Sequence, residues 1–358
     1  MRVDYQRPPI RVALMGFGRS MASEHYTVFK KHPGLFQIVA CCDILKERRD
    51  IVAKDFPNCK MFRQFPDMLD ERDIDLVDIA TCSRDHVQHA LQSLERGYWT
   101  LLETPMALTF DDALLLRGAA VKAKNRLVVF QRGLFEPDFL LAKQMMSDPR
   151  LGEIYDIKIT QEDYIRRYDW QTVKRLGGGA AYYAMTDLVM QALRLLPLPP
   201  IQMWSDLKRV ASLGDAEDFA HIKLKTRGTV TCEVEFNGGS LPQVHSPSFL
   251  LRGERGIFSV RRGEHEGKLT VIDPECKLER RRSSVRTPDM VDMHEQIPVV
   301  EIPVSLPKDT QCGASAFWRC LYNTVRTASP FPFSLESCME AVKFAQLMKK
   351  ASPFGSGN

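Results

Sequence analysis

The chain lacks the features that mark several specialised classes of protein. It has no run of 18 apolar residues, and no charged segment followed by an apolar one at its start, so the sequence indicates neither a membrane-spanning nor a secreted protein. Its nine cysteines show no C-x-x-C spacing, and Cys41 and Cys42 are adjacent on an apolar run. We therefore expect a cytoplasmic protein with reduced cysteines and no membrane partner.

The chain also has no large net charge of either sign. The formal net charge is +4, and the densest basic run, Arg280 to Arg282, has no interleaved aromatic residues, so we predict no nucleic-acid partner. Two pairs, His86 with His89 and His265 with Glu266, lack a metal-binding spacing, and we predict no metal site. What the chain does have is length and apolar content, since 358 residues, 44% of them hydrophobic, suit two globular domains.

Residues 11–21 predict a nucleotide-binding turn. An apolar run typical of a strand ends in a G-x-G sequence and leads into a helix-like segment, whose unpaired N–H groups and positive dipole can bind a pyrophosphate. Gly16 would allow the tight turn and Gly18 would let the backbone approach the phosphates, while Met21 departs from the small residue that the motif prefers. The residues of this turn predicted to contact the cofactor are Gly16, Phe17, Gly18, Arg19 and Ser20.

A second apolar run, residues 36–42, ends at Asp43, which lies 25 residues after Gly18. An acid at this place can accept hydrogen bonds from both ribose hydroxyls and would repel a 2′-phosphate, so NAD is favoured over NADP. An ordinary strand-to-helix turn is the alternative. The combination of strand, glycines, helix and distal acid favours the dinucleotide site.

The following segments alternate between strand and helix patterns, which predicts a parallel, doubly wound sheet with its ligand at the carboxyl ends of the strands. The predicted strands are 74–80, 98–102 and 127–130, and the predicted helices are 46–56, 86–96 and 110–124. Polar residues after the first two of these strands are therefore further cofactor candidates, namely Thr81, Cys82, Ser83, His86, Glu103 and Thr104. His86 has the alternative role of capping the following helix, and Glu103 that of a solvated loop acid.

The second half of the chain carries the patterns of antiparallel strands. Residues 219–226 and 229–236 alternate around a Gly turn, and 249–252 with 257–260 form a similar pair. Residues 153–162 have the length of a long strand. Residues 312–327 and 335–350 are amphipathic and predict two helices.

Several motifs resemble the glucose-fructose oxidoreductase, inositol dehydrogenase and rhizopine-catabolism (Gfo/Idh/MocA) family. They are residues 74–81, His86, 97–105, Gln131-Arg132 with Phe135 and Pro137, 151–154, 169–171, 177–179 and 330–332. The resemblance implies a Rossmann domain at 1–131 and an α/β domain with an open, mainly antiparallel sheet at 132–358. It further implies an NAD(P)-dependent oxidoreductase for a hydroxyl or carbonyl group of a sugar, cyclitol or related compound, and a homodimer or homotetramer built through the C-terminal sheet.

The chain departs from the catalytic motifs of this family. The family has Glu-Lys-Pro where this chain has Thr104 in place of the lysine, the usual proton relay. In the helix after the glycine-rich turn, Tyr183 stands at the family's first acid, Asp187 at its histidine and Met190 at its last acid. The candidate catalytic residues are therefore Tyr183, Asp187 and Thr104.

Tyr183 and Asp187 are four residues apart, which predicts one shared helical face where both could meet a substrate. Tyr183 could donate a proton if a nearby cation lowered its pKa, and Asp187 would be a poor base unless it were desolvated. The alternative is that Tyr183 packs in the interdomain core and Asp187 pairs with an arginine. The residues predicted to bind the substrate, which include the possible cations, are Arg166, Arg167, Trp170, Lys174 and Asp187.

Three functions remain open on the sequence. The leading one is an NAD-dependent oxidoreductase for a carbohydrate-like polyol or ketose, with the altered residues replacing the lysine. The second is a catalytically degenerate dinucleotide-binding protein that serves as a sensor or scaffold. The third is chemistry in which NAD is reduced and reoxidised within one cycle, as in glycoside-cleaving relatives of the family.

Overall fold

The computed structural model describes residues 7–241, 246–276 and 296–352. These residues form one parallel and one mainly antiparallel β-sheet, each covered by helices. The basic run Arg280 to Arg282 lies outside the described residues. Within the described ranges, no helix combines the length and the apolar character needed to cross a membrane.

The first sheet is parallel throughout. In the described part of the chain its strands are β1 (Ile10–Met15), β2 (Phe36–Cys42), β3 (Lys60–Phe62), β4 (Leu76–Ile79), β5 (Trp99–Leu102) and β6 (Leu127–Val129). Their order is β3-β2-β1-β4-β5-β6. Every residue of β4 is buried, as expected of a strand covered by helices on both faces. The order reverses between β1 and β4, and ligands bind in this topology at the carboxyl ends of the strands beside that reversal.

The connections of the first sheet are helical. Their α-helices are α1 (Tyr26–Lys31), α2 (Lys46–Asp55), α3 (Phe65–Leu69), α4 (His86–Glu95) and α5 (Phe110–Lys122), with a π-helical turn at Met21–His25 before α1 and a 3₁₀ turn at Ser83–Asp85 before α4. The predicted alternation of strand and helix is confirmed, and so is the parallel sheet.

The second sheet is open and mainly antiparallel, also as predicted. Its described strands are β7 (Ile154–Glu162), β8 (Pro200–Lys208), β9 (Phe219–Thr226), β10 (Thr231–Asn237), β11 (Phe249–Gly253), β12 (Gly256–Val260), β13 (Glu266–Ile272) and β14 (Val299–Ser305). They follow the order β14-β13-β12-β11-β7-β10-β9-β8. Within this order only β7 and β10 are parallel neighbours among the described strands. Burial alternates along β9 and β10, which places one face of the sheet against helices and leaves the other exposed.

The helices of the second half are α6 (Pro137–Met145), α7 (Ala180–Tyr183), α8 (Met185–Leu195), α9 (Gly313–Thr327) and α10 (Leu335–Ala351), with 3₁₀ turns at Arg132–Phe135, Pro149–Leu151, Trp170–Thr172 and Lys174–Leu176. Helix α9 follows the second sheet in the chain but packs on the first, where Trp318 meets Phe29, Phe36 and Phe130 edge-on or tilted. Helix α10 contacts α5 and α8 and so joins the two halves. The domain division at residues 131 and 132 stays a prediction.

One local prediction is wrong. Tyr183 and Asp187 do not share a continuous α-helix, because α7 ends at Tyr183 and Ala184 leaves the helical region with φ −124° and ψ −50° before α8 begins. The spacing of four residues therefore does not define a single face. The strands β3, β8, β13 and β14 were also not predicted from the sequence. Strands β8 and β14 contain Pro200 and Pro303 and lie at the two edges of the sheet, where a missing N–H donor is tolerated.

Candidate cofactor and substrate site

The turn after β1 has the shape that a dinucleotide requires. Gly16 adopts φ +85°, and a Cβ there would lie 2.8 Å from the carbonyl oxygen of Ala80 and 2.9 Å from Cγ2 of Thr81, so only glycine fits. A Cβ on Gly18 would meet nothing within 4 Å, which leaves open space above the backbone at this position. The residues present thus fit a bound pyrophosphate, because Gly16 packs tightly against residues 80 and 81 while the space beside Gly18 is open to a ligand.

Met21, which departs from the small residue of the motif, is fully buried. It begins the π-helical turn Met21–His25, a wider turn than that of an α-helix, before α1 starts at Tyr26. The wider turn coincides with the larger side chain. The side chain of Met21 is therefore accommodated in the core beneath the glycine turn.

Asp43 lies at the end of β2, as expected of a ribose ligand, but the protein already uses both of its oxygens. Oδ2 accepts a hydrogen bond from Phe17 N at 2.8 Å and Oδ1 accepts one from Leu45 N at 2.8 Å. The carboxylate is almost fully buried, and Nη1 of the half-exposed Arg48 lies 3.4 Å from Oδ2. Only the remaining lone pairs of Asp43 can meet a ribose hydroxyl. Arg48, which the sequence analysis did not select, weakens the repulsion of a 2′-phosphate.

A cavity of about 300 Å³ opens in front of the glycine turn and reaches the second sheet. We call it the main cavity. The predicted residues that border it are Gly18, Arg19, Ser20, Thr81, His86, Glu103, Thr104, Arg167, Trp170, Tyr183 and Asp187. The fold thus brings together the cofactor candidates of the first sheet and the catalytic candidates of the second.

Other predicted residues do not border the main cavity in the described structure. Phe17 and Ser83 are buried, whereas Arg166 is exposed. The remaining ones are Gly16, Asp43, Cys82 and Lys174. Gly16 acts through the shape of the turn, so its absence from the lining leaves its predicted role in place. The contact of Asp43 with the ribose stays a prediction.

His86 borders the main cavity, but both of its ring nitrogens lie against backbone carbonyl oxygens, so the prediction that its polar groups open onto the cofactor is not confirmed. Its side chain is buried, Nδ1 lies 2.8 Å from the carbonyl oxygen of Pro105, and Nε2 lies 3.2 Å from that of Thr81. Burial lowers its pKa, so the ring is neutral. A neutral ring carries a single N–H and therefore donates to only one of these two carbonyl oxygens, and His86 does not cap α4 through its side chain.

Two residues that the sequence analysis missed sit beneath Glu103. His25 Nδ1 lies 2.8 Å from Asp78 Oδ2, and His25 Nε2 lies 3.1 Å from Glu103 Oε1. Asp78 is an acid within the fully buried strand β4, and a lone acid in an otherwise apolar strand is the signal that could have pointed to it. Glu103 also accepts hydrogen bonds from the Ser20 hydroxyl and from Thr104 N.

Tyr183 does not have the environment that proton donation at neutral pH requires. The Arg167 guanidinium lies over its ring, 5.3 Å from the centroid, and Phe236 meets the ring edge-on at 5.5 Å. Burial raises the pKa of the phenol, and this effect exceeds the lowering by Arg167. The prediction of a cation-lowered pKa is wrong, because the guanidinium stacks on the ring of a desolvated phenol. Tyr183 remains a hydrogen-bond donor.

Asp187 meets the condition set for a base, since it is desolvated. Burial raises its pKa to about 7, with Arg132 opposing this shift and Glu136 adding to it. Oδ1 is buried without a hydrogen-bond partner among the described residues. Arg132 instead pairs with Glu24 at 2.6 Å and with Glu136 at 3.1 Å, so in the described structure Asp187 is not neutralised by an arginine.

Comparison with known proteins agrees with this geometry. Residues 10–131 match the family model of the oxidoreductase family with an NAD-binding Rossmann fold, and residues 139–259 match the Gfo/Idh/MocA C-terminal domain. This chain belongs to the Gfo/Idh/MocA family of oxidoreductases. The family assigned from the motifs is thereby confirmed.

Three relatives in the Gfo/Idh/MocA family have sequence identities below 30%. An uncharacterized oxidoreductase of Schizosaccharomyces pombe is 27% identical over 70% of each chain. The scyllo-inositol 2-dehydrogenase (NADP⁺) IolW of Bacillus subtilis is 22% identical over 70% of this chain and 68% of the other. The WlbA dehydrogenase of Bordetella pertussis, solved in complex with NADH and UDP-GlcNAcA, is 18% identical and superposes over 96% of each chain with a TM-score of 0.73.

As a Gfo/Idh/MocA protein, the chain has an NAD(P)-binding Rossmann fold. Glu103, Thr104 and Asp187 then occupy the positions where the resemblance places the glutamate and lysine of Glu-Lys-Pro and the histidine of the second motif. Thr104 borders the main cavity and offers a hydroxyl in place of an ammonium group. Asp187 borders it with a carboxyl group of elevated pKa in place of an imidazole.

Proposed function

We propose that this protein is an NAD-dependent oxidoreductase that acts on a hydroxyl or carbonyl group of a sugar, cyclitol or related polyol. One observation carries the proposal: the glycine turn and Asp187 border the same cavity. Oxidation of an alcohol releases one hydride and one proton, so the site needs a proton acceptor beside the hydride acceptor. A group whose pKa lies near the working pH serves best, and the pKa of Asp187 is about 7.

The proposed chemistry divides between cofactor and protein. NAD, when bound, supplies the hydride acceptor or donor. Asp187 takes the proton of the substrate hydroxyl as the carbonyl bond forms, and returns it when the reaction runs toward the alcohol. Tyr183, a neutral phenol, donates a hydrogen bond to a substrate oxygen, and Arg167 holds its ring in place. Thr104 supplies a second hydroxyl at the lining of the main cavity.

The lining of the main cavity suits a polyhydroxy compound. Alongside Asp187 it carries the carboxylates of Asp163 and Asp169, the guanidinium of Arg132 and the ring of Trp170. The carboxylates can accept hydrogen bonds from hydroxyl groups and the guanidinium can donate to them, while the aromatic ring can pack against an apolar face of a sugar. The relatives named above, a scyllo-inositol dehydrogenase and a dehydrogenase complexed with a nucleotide-linked sugar acid, support this substrate class.

The preference for NAD over NADP rests on Asp43. Its negative charge faces the position where the 2′ oxygen of the adenosine ribose is expected, at the end of β2. Arg48 reduces this repulsion and makes the preference moderate rather than absolute. NADP is thus the weaker cofactor in the proposal.

We also propose that the protein is a homodimer or homotetramer assembled through the second sheet. The exposed face of that sheet carries apolar side chains, among them Trp204 and Ile257. Ion pairs such as Lys158 with Glu233 lie on the same sheet and would give the contact its polar part. Light scattering on the purified protein tests this assembly, and a monomer at micromolar concentration would contradict it.

The function is tested by offering the purified protein a panel of sugars, cyclitols and their keto forms with NAD⁺ or NADH and following NADH absorbance. The matched variants are Asp187→Asn and Asp163→Asn, which each remove one carboxylate that borders the main cavity. We expect Asp187→Asn to lower kcat by roughly 10²–10⁴-fold with cofactor binding retained. We expect Asp163→Asn to change kcat little and to act on KM, since its carboxylate is proposed to bind substrate and not to move a proton.

The outcomes separate the three functions considered from the sequence. Binding of NADH without turnover of any substrate would contradict the oxidoreductase and favour a dinucleotide-binding sensor or scaffold. Product formation without net reduction of a retained NAD would favour chemistry in which the cofactor is reoxidised within each cycle.

A further inference from the structure

Three ionisable side chains form a buried row behind the main cavity. His25 lies in the middle, with Nδ1 2.8 Å from Asp78 Oδ2 on one side and Nε2 3.1 Å from Glu103 Oε1 on the other. The side chains of His25 and Asp78 are 0% exposed and that of Glu103 is 12% exposed. The row therefore begins in the core and ends at the cavity.

The contacts of His25 indicate that the ring is an imidazolium. Burial opposes the charge, but Asp78 and Glu103 outweigh it and raise the pKa of His25 to about 10. Both ring nitrogens then donate, one to each carboxylate. The rings of Phe130 and Trp318 enclose the imidazolium with centroids at 4.2 and 5.2 Å. Burial raises the pKa of Asp78, and His25 opposes that shift. Burial also acts on Glu103, but the hydrogen bonds from His25, Ser20 and Thr104 N outweigh it and lower the pKa of Glu103.

Glu103 is the only member of this row that borders the main cavity in the described structure. It is held from three directions, by His25, by the Ser20 hydroxyl and by Thr104 N at 3.1 Å. Ser20 and Thr104 border the cavity as well. The carboxylate is thus fixed in place at the end of β5 and faces the ligand space with its charge intact.

The topology indicates which part of a dinucleotide lies beside Glu103. The pyrophosphate is expected at the glycine turn after β1 and the adenosine half toward Asp43 at the end of β2. The nicotinamide half then extends to the other side of the order reversal, toward the ends of β4 and β5. The oxidised nicotinamide ring carries a positive charge and the reduced ring is neutral, so a fixed carboxylate near it stabilises the oxidised form.

We propose that His25 is a positioning residue that keeps Glu103 ionised and fixed beside the nicotinamide half of the cofactor, which raises the affinity for NAD⁺ relative to NADH. This inference rests on the cofactor of the proposed function and not on its substrate. Burial disfavours the charge of Glu103, and the hydrogen bond and positive charge of His25 are the largest effects that lower its pKa against burial. Without His25, the ionised form of Glu103 is less favoured and its carboxylate is held by two donors instead of three. The site then distinguishes less strongly between the two forms of the cofactor.

The inference is tested by measuring dissociation constants of NAD⁺ and NADH at neutral pH by titration calorimetry. The variants are His25→Gln, Glu103→Gln and the double variant, with Asp85→Asn as a control. Asp85 lies just past the end of β4 but pairs with Arg84 at the surface. We expect His25→Gln to shift the affinity ratio about tenfold toward NADH. We expect Glu103→Gln to give the same shift, the double variant to add nothing further, and Asp85→Asn to leave the ratio unchanged.

Two results of these titrations would overturn the inference. One is an equal loss of affinity for both cofactor forms in His25→Gln, which is the signature of a purely structural role. The other is additivity of the two single variants, because His25 would then act independently of Glu103.

A measurement on the unchanged protein covers the case in which His25→Gln fails to fold. Nitrogen-15 NMR of the histidine rings reports whether His25 carries protons on both nitrogens above pH 8. A singly protonated ring there contradicts the inference, and an imidazolium supports it. The failure of the proposed function looks different: no substrate is turned over, while the shift in the NAD⁺ to NADH affinity ratio persists.

Discussion

Gly133 lies directly against the carboxylate of Asp187. A Cβ at position 133 would lie 2.5 Å from Oδ2 and 2.9 Å from Cγ of Asp187, so the side chain that replaces the family's histidine depends on the absence of a side chain at its neighbour. Gly133 also accepts a hydrogen bond from Gln191 Nε2 at 2.8 Å through its carbonyl oxygen. The short turn Arg132–Phe135, where the chain leaves the first sheet, thus sets the position of a residue on α8.

The first prediction concerns Gly133→Ala. The added methyl group must displace Asp187, so we expect a loss of stability of about 1–3 kcal/mol and a fall in kcat with little change in cofactor affinity. Gly118→Ala is the control, since Gly118 lies within α5 and a Cβ there meets nothing within 4 Å. That variant should be stabilised by up to about 1 kcal/mol and remain active. Equal activity of the two variants would show that the position of Asp187 does not matter.

The second prediction concerns the pH dependence of stability. An unfolded aspartate has a pKa of about 3.9, whereas that of Asp187 in the folded protein is about 7. Between these values the unfolded chain loses the proton that the folded protein keeps, so this group makes stability fall as pH rises from about 4 to 7. Asp187→Asn should remove that fall. Urea unfolding of both proteins at several pH values measures it, and parallel curves would contradict the elevated pKa.

The third prediction concerns the choice between NAD and NADP. Arg48 pairs with the carboxylate of Asp43, and its removal takes away that positive charge, while Arg49, which donates to the carbonyl oxygen of Asp43, remains. We expect Arg48→Ala to weaken NADP binding several-fold and to leave NAD binding nearly unchanged. Lys46→Ala serves as the control, because Lys46 is exposed on the same helix and pairs with Asp50. Calorimetry with both cofactors decides the matter, and an equal loss for NAD and NADP would argue against this role.

The fourth prediction concerns the link between the C-terminal helix and the catalytic segment. Lys349 on α10 lies 2.8 Å from Oε1 of the fully buried Glu217, which also accepts a hydrogen bond from Ala181 N at the start of α7. Lys349→Met leaves a buried carboxylate unpaired, and we expect it to destabilise the protein by about 3–5 kcal/mol.

Lys343→Met is the control for that variant. Lys343 pairs with Glu340 on the exposed face of α10 at 3.4 Å, so its loss should change the free energy of unfolding by less than about 1 kcal/mol. Denaturant unfolding compares the two. Similar midpoints for both variants would mean that the buried pair contributes little.

The sequence by itself determined the order of strands and helices in the first half apart from β3 and α3, because apolar runs of strand length and glycine stops are local signals. Strand β2 begins and ends where its apolar run does, at Phe36 and Cys42, and the glycine turn lies where the motif placed it. The antiparallel pair of β9 and β10 followed in the same way from alternation around a Gly turn. The family and the fold class could therefore be predicted from these local patterns and motifs.

The tertiary structure alone decided the chemistry of the site. Whether Asp187 is a base depends on its burial against Gly133, 54 residues earlier in the chain, and the pKa of Tyr183 depends on desolvation as well as on the charges nearby. The pairing of His25 with Asp78 and Glu103 joins residues from three separate segments. Local sequence patterns indicate the backbone conformation that each segment prefers. The burial of a side chain and the charges around it depend on residues that the fold brings together from distant segments.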